Sequence, residues 1–253
     1  MNKIKLDFNQ KNYEVALHEP LDISIPLRTG YPQVNAFFAP PFQSTPMRLG
    51  DWTGSIAAGS AVNCYDIRIN PHGNGTHTEC VGHISSDPVY INHTVQSVCT
   101  VAQLITVFPI LETSGDRIIE PFHLQQLWQP IGAEALIIRS MPNTSSKLQQ
   151  MYSGSNPPYF SPAAIEYIVS QGVKHLLTDL PSVDREEDAG RLAAHKAFWN
   201  YPGSQIRKDC TITELIYVND GIRDGIYFLN LQTINIDLDA SPSRPVLYRM
   251  TEL

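Results

Sequence analysis

The chain has 253 residues and a formal net charge of −7, from 25 acidic and 18 basic side chains. That length suits one large domain, read as a single unit over residues 1–253, whose core needs no disulfide support. The lysines and arginines form no cluster, which argues against a nucleic-acid partner and against an anionic membrane surface.

No apolar run approaches bilayer length, and the opening Met-Asn-Lys-Ile-Lys-Leu-Asp-Phe lacks the apolar centre of a secretory signal. Cys64, Cys80, Cys99 and Cys210 are scattered and include no C-x-x-C pair. A cytoplasmic protein with reduced thiols is expected. Cys80 lies within a histidine-rich stretch, where it reads as a small buried filler rather than a ligand.

In chain order, Leu21–Pro26 reads as the first strand. Prolines concentrate between Tyr31 and Pro46 and exclude helix there, so an ordered loop is expected. Phe37, Phe38, Phe42 and Trp52 are candidates to line an apolar pocket, against the plainer alternative of packing alone. Ala61–Ile69, Ala135–Arg139, His175–Thr178 and Ile226–Leu231 read as further strands. A helix is predicted from Ser161, with the serine as N-cap, Pro162 in the first turn and Gly172 as the stop. Ala164, Ile165, Ile168 and Val169 carry its apolar spacing. A second helix is predicted from Gly190 to about Phe198. The sum is a mixed α and β domain with a sheet-rich core.

The densest chemistry lies in His72-Gly-Asn-Gly-Thr-His77-Thr-Glu79-Cys-Val-Gly-His83, which holds three of the chain's eight histidines. Imidazole and carboxylate are ligands for zinc, manganese and similar divalent ions. On an extended strand residues i and i+2 share a face, so His77 and Glu79 can meet one ion. His83 would return after Gly82, and His72 would approach across the Gly73–Gly75 turn. Further along, His195 faces inward on the second predicted helix. Glu214 sits in an apolar-flanked run, where a buried carboxylate is costly unless paired or metal-bound. No G-x-S-x-G elbow, phosphate loop, G-x-G-x-x-G or H-E-x-x-H motif is present.

These residues resemble the metal-dependent cyclase superfamily, which includes bacterial kynurenine formamidases and isatin hydrolases. Its hallmark is H-x-G-T-H-x-D-x-P-x-H, and Gly75-Thr-His-Thr-Glu-Cys-Val-Gly-His83 follows that register. Asp22-Ile-Ser-Ile-Pro resembles the family's opening strand, and the Pro158–Tyr167 segment, Gly172–Asp184, Ala194-His195, Thr213-Glu214-Leu215 and the Asp239–Val246 segment resemble its later segments in order. The resemblance implies a compact α/β domain with a central, partly barrel-like sheet, commonly in homodimers or higher homo-oligomers. It implies His72, His77 and Glu79 as ligands of a first divalent metal, zinc or manganese. His83, His195 and Glu214 would complete a second metal site or act as catalytic acid–base groups, giving one or two ions in all.

Three departures stand out. The family's first histidine falls four residues before the second, a position held here by Gly73. Either an extra residue bulges and lets His72 reach the metal, or His72 falls short. Glu79 replaces an aspartate, and Val81 replaces the motif's proline. The expected chemistry is hydrolysis of an amide or cyclic amide C–N bond in a small-molecule substrate by metal-activated water, with an N-formyl aromatic as the family's best-known substrate type. The rival expectations are a non-catalytic metal- or ligand-binding protein and a purely structural metal site.

Overall fold

The computed structural model describes residues 3–95 and 99–253. Eleven strands form one mixed sheet: β1 (Lys3–Phe8), β2 (Lys11–Ala16), β3 (Leu21–Asp22), β4 (His77–Glu79), β5 (Cys99–Val107), β6 (Ala135–Ser140), β7 (His175–Thr178), β8 (Thr211–Glu214), β9 (Gly225–Asn230), β10 (Ala240–Pro242) and β11 (Val246–Glu252). Their order is β1–β2–β11–β9–β5–β6–β7–β8–β4–β10, with β3 beside β11. β5 through β8 run parallel. The pairings outside that centre are antiparallel.

Helices bridge the parallel strands, as parallel pairing demands. α2 (Pro121–Leu127) lies between β5 and β6, α3 (Pro162–Ser170) between β6 and β7, and α4 (Ala193–Trp199) between β7 and β8. A single turn, α1 (Pro71–Asn74), precedes β4. All six residues of β6 are buried, as expected of a strand covered on both faces. Leu136 and Ile138 join the core beneath the helices, with Phe160, Ile165 and Phe198. Ala135 and Ile137 point the other way, into a second core with Ile23, Ile216 and Leu247.

α3 forms for the reasons read from its sequence. The Ser161 hydroxyl accepts the Ala164 N–H, Pro162 opens the helix, and Gly172 follows it in the left-handed region at φ 81°. Ala164, Ile165 and Ile168 are its buried face.

Several boundaries differ from expectation. The first strand keeps only Leu21–Asp22, because beyond it Ile23 and Ile25 are anchored by scattered bonds rather than a ladder; Ile25 N–H donates to Thr76 Oγ1. The strand expected over 61–69 shortens to Tyr65–Arg68, one arm of a two-stranded ribbon with Gln43–Pro46. The second helix begins at Ala193, since Leu192 takes a left-handed conformation. β5, β11 and the β1–β2 hairpin carry much of the sheet without having been expected. Among the described residues no helix is long and apolar enough to cross a membrane. All four cysteines are free thiols.

Candidate metal centre

The parallel strands point their carboxyl ends toward one corner of the sheet, the usual place for a site in such folds. β8 ends there at Glu214, and β4 pairs antiparallel with it, placing His77 directly opposite Glu214 and Glu79 opposite Ile212. His77 and Glu79 therefore share a face, as their spacing predicts, and both are fully buried. α4 lowers His195 onto the same face. The short turn Val81–His83 folds His83 back, and α1 supplies His72.

The groups converge. Glu79 Oε1 lies 3.0 Å from His195 Nε2, and Glu79 Oε2 lies 3.1 Å from His72 Nδ1 and 3.9 Å from His83 Nε2. His77 Nε2 is 3.4 Å from Glu214 Oε2. Among the described residues three sets of ligand-capable atoms, on His72, His77 and Glu79, on Glu79, His83 and His195, and on His72, His83 and Asp239, each fall within 4.8 Å of one another. The six residues singled out from sequence thus converge, Glu214 joining the cluster through His77 and, at 3.9 Å, His195.

Each ring is oriented from behind. His77 Nδ1 faces the Gly75 carbonyl at 2.9 Å, so Nδ1–H donates there and Nε2 presents its lone pair to the centre. His195 Nδ1 lies 2.5 Å from Asp184 Oδ2, and Asp184 also accepts the N–H groups of Ala194 and His195 at the start of α4. Asp239 Oδ2 lies 2.9 Å from His72 Nε2 and 3.3 Å from His83 Nδ1. Glu214 Oε1 accepts the Val183 N–H at 3.0 Å. Asp184 and Asp239 escaped the sequence reading as site residues. Asp184 offered one signal, its place at the end of the Asp179-Leu-Pro-Ser-Val-Asp turn. Asp239 offered none at short range.

The donor set fits a divalent cation. His77 Nε2 and Glu79 Oε2 are buried without any hydrogen-bond partner; the 3.1 Å approach of His72 to Glu79 Oε2 is out of line for one. Leaving such atoms unpaired costs about 1–3 kcal/mol apiece, and a cation between them removes that cost. The charge balance agrees. Burial opposes ionisation of Glu79, yet the neighbouring His83 and His195 hold its carboxyl well below the usual range. Burial likewise opposes charge on His72, but Asp239 and Glu79 outweigh it and raise the imidazole to about 10. His195 is raised to about 10 against its burial by Glu79, Asp184 and Glu214. His72 and His83 hold Asp239 below its ordinary value. The carboxylates demand positive charge, which protons on imidazole or a metal ion can supply.

The one-residue shift at the first histidine has a steric explanation. Asn70 caps α1 by accepting the Gly73 N–H, and the helical turn takes up the extra residue. A Cβ at Gly73 would stand 2.3 Å from Ala39 Cβ and 2.8 Å from the Ala36 carbonyl. No histidine fits at position 73, and His72 reaches Glu79 from the preceding position.

A cavity of about 570 Å³ opens onto Glu79, His72, His83, His195 and Glu214. Phe37, Phe38, Ala39, Pro40 and Leu192 form its apolar wall, and Ser182 and Arg185 line another side. Phe37 and Phe38 both take left-handed backbone conformations, at φ 57° and 51°, and remain largely exposed at the mouth. Phe42 and Trp52 are not part of this wall. Phe42 is buried elsewhere, and Trp52 belongs to a two-residue strand in the 48–53 hairpin. Cys80 is buried and donates to the Val89 carbonyl at 3.3 Å, a filler as expected.

The "Putative cyclase" family model matches residues 21–185. The chain is 28% identical over 189 residues to the kynurenine formamidase of Bacillus cereus, an alignment covering 74% of this chain and 80% of that protein. A solved structure described as a potential metal-dependent hydrolase with cyclase activity is similar at TM-score 0.64 and 14% identity, covering 91% of this chain and 97% of the other. Isatin hydrolase A from Ralstonia solanacearum is similar at TM-score 0.64 and 15% identity, covering 91% of each chain. At these identities the structural likeness speaks to the fold.

Proposed function

The chain belongs to the cyclase family, and on that footing we propose that it is a metal-dependent hydrolase of amide or cyclic amide C–N bonds. The observation that carries this reading is the pair of unpartnered buried atoms, His77 Nε2 and Glu79 Oε2, at the floor of a cavity lined also by His72, His83, His195 and Glu214. The kynurenine formamidase relatives and the isatin hydrolase neighbours support the reaction class.

His72, His77 and Glu79 would hold one divalent ion, and Glu79, His83 and His195, with Glu214 beside His195, a second; zinc or manganese suits these donors. When bound, such an ion would lower the pKa of its water to about 7 and polarise a carbonyl oxygen. The protein's own groups do the rest. His195, clamped between Asp184 and Glu79 and almost fully buried, is a fixed donor. His83 is more exposed, faces the cavity and is backed by Asp239 through Nδ1, so a His83 not taken up as a ligand would accept a proton at Nε2 and pass it to the leaving nitrogen. Phe37, Phe38, Pro40 and Leu192 form a wall suited to a flat ring, which favours aryl or cyclic amides. We further propose a homodimer or higher homo-oligomer working in the cytoplasm on a small-molecule substrate.

The test is turnover of a panel of N-formyl arylamines, cyclic imides and lactones by protein loaded with zinc or manganese. Metal-dependent hydrolysis of the amides that disappears in His77→Ala supports the reading. Full metal occupancy with no turnover across the panel overturns it in favour of a binding protein.

A further inference from the structure

We infer that Asp239 is a positioning residue that turns the displaced His72 ring, together with His83, onto the metal centre. The inference rests on the proposed metal site and concerns how this chain builds it.

The shift from position 73 to 72 changes more than the starting point of the side chain. His77 offers Nε2 to the centre, with Nδ1 bound to a backbone carbonyl. His72 comes from the turn of α1 and approaches the other way round, with Nδ1 toward Glu79 at 3.1 Å. A ring in that orientation needs a partner on its far nitrogen. Asp239 supplies it, with Oδ2 2.9 Å from Nε2. The same oxygen lies 3.3 Å from His83 Nδ1, and the two ring centroids stand 4.3 Å apart. When His72 donates Nε2–H and His83 donates Nδ1–H to this carboxylate, both rings are left with lone pairs on the Glu79 side. One acid therefore sets two tautomers and two ring angles, the role that carboxylates behind metal-bound histidines play generally.

Asp239 is itself held in place. Its carbonyl accepts the Cys80 N–H at 3.0 Å, one residue past Glu79, and the next residue, Ala240, pairs with Glu79 in the β4–β10 ladder. Gly82 lets the backbone close around it, because a Cβ there would meet the Val89 carbonyl at 2.1 Å and Asp239 Cβ at 3.3 Å. The carboxylate is thus fixed by the same ladder that fixes Glu79.

The competing role is a partly exposed ion pair that affects stability alone, worth at most about 1 kcal/mol. Cobalt(II) binding separates the two, because its visible spectrum reports ligand number and geometry without any need for turnover. Affinity would be measured by chelator competition for the wild type, Asp239→Ala, Asp239→Asn, His72→Ala and the His72→Ala/Asp239→Ala double variant, with the metal-free melting temperature of each. Asp239→Ala is expected to bind cobalt about 10- to 100-fold more weakly with an altered spectrum. Asp239→Asn, which keeps one acceptor oxygen, should recover part of the loss. Removing Asp239 should cost less once His72 is gone. Wild-type affinity and spectrum in both Asp239 variants would overturn the inference and leave the metal site standing, as would an equal loss in both His72 backgrounds. If Asp239→Ala does not fold, Asp239→Asn carries the same comparison. A wild-type protein that takes up no cobalt would overturn the metal-site reading and this inference with it.

Discussion

Glu214 lies directly across the sheet from His77, with its Oε2 3.4 Å from the ring's Nε2. The two residues come from distant parts of the sequence, yet a single register in the β4–β8 ladder makes them neighbours. Any slip of that register by one residue would turn both side chains to the opposite face.

That pairing makes His77→Ala and Glu214→Gln informative together. His77→Ala should abolish metal-dependent turnover, by at least about 100-fold, and lower bound metal per chain as measured by elemental mass spectrometry. Glu214→Gln keeps the bond from Val183 N–H but loses the charge. It should weaken activity more than it weakens the melting temperature.

Asp184 serves both α4 and His195, so its replacement should register twice. Asp184→Ala removes acceptors for the Ala194 and His195 N–H groups, costing about 0.5–2 kcal/mol in denaturant titration. It also frees the His195 ring, and metal affinity should fall about 10- to 100-fold. Asp184→Asn should preserve more of the stability than of the affinity.

The pH dependence of the metal-free protein follows from the raised imidazoles. His72 and His195 move from 6.5 to about 10 on folding. Their contribution is complete below pH 6.5 and is lost as pH rises through about 10. Glu79 and Asp239 are lowered, so their contribution holds above the ordinary carboxylate range and is lost as pH falls from that range down through their lowered values. Melting temperature of chelator-treated protein should therefore decline on both sides of a mildly acidic maximum. Metal must displace the imidazole protons, so calorimetry in buffers of different ionisation enthalpy should show proton release, and affinity should rise with pH. A pH-independent melting temperature between 6.5 and 10 would contradict the assignment.

Gly73→Ala places a methyl against Ala39 and the Ala36 carbonyl. A loss of about 1–3 kcal/mol is expected from overpacking. Because α1 carries His72, metal affinity should drop in the same variant.

Phe38 is 77% exposed at the cavity mouth, and its truncation to alanine should leave stability within about 0.5 kcal/mol. If it contacts the substrate ring, KM for aryl amides should rise severalfold with kcat little changed. An unchanged KM would remove Phe38 from the binding wall.

The centre was unusually legible because its first three histidines and Glu79 lie within twelve residues, and strand periodicity alone places His77 and Glu79 on one face. His195 and Glu214 gained their role from the ordered resemblance rather than from local pattern. Asp184 and Asp239 act through rings that sequence spacing cannot bring to them; only the turn after β7 and the β4–β10 ladder do so. Among the elements, α3 announced itself by cap, proline and glycine. β5 is the longest strand of the parallel centre, yet its run Cys-Thr-Val-Ala-Gln-Leu-Ile-Thr-Val mixes polar and apolar residues without strict alternation. Its neighbours on both sides, and not its own pattern, decide its state.

The β4–β8–β10 ladders also carry a consequence for synthesis. A growing chain exposes His72, His77, Glu79 and His83 while Glu214 and Asp239 have yet to be made. A metal captured at that stage meets only a loose chelating peptide. The proposed donor set is complete only once β8 and β10 have slotted in on either side of β4, so metal selection would belong to the finished protein and not to the ribosome-bound chain.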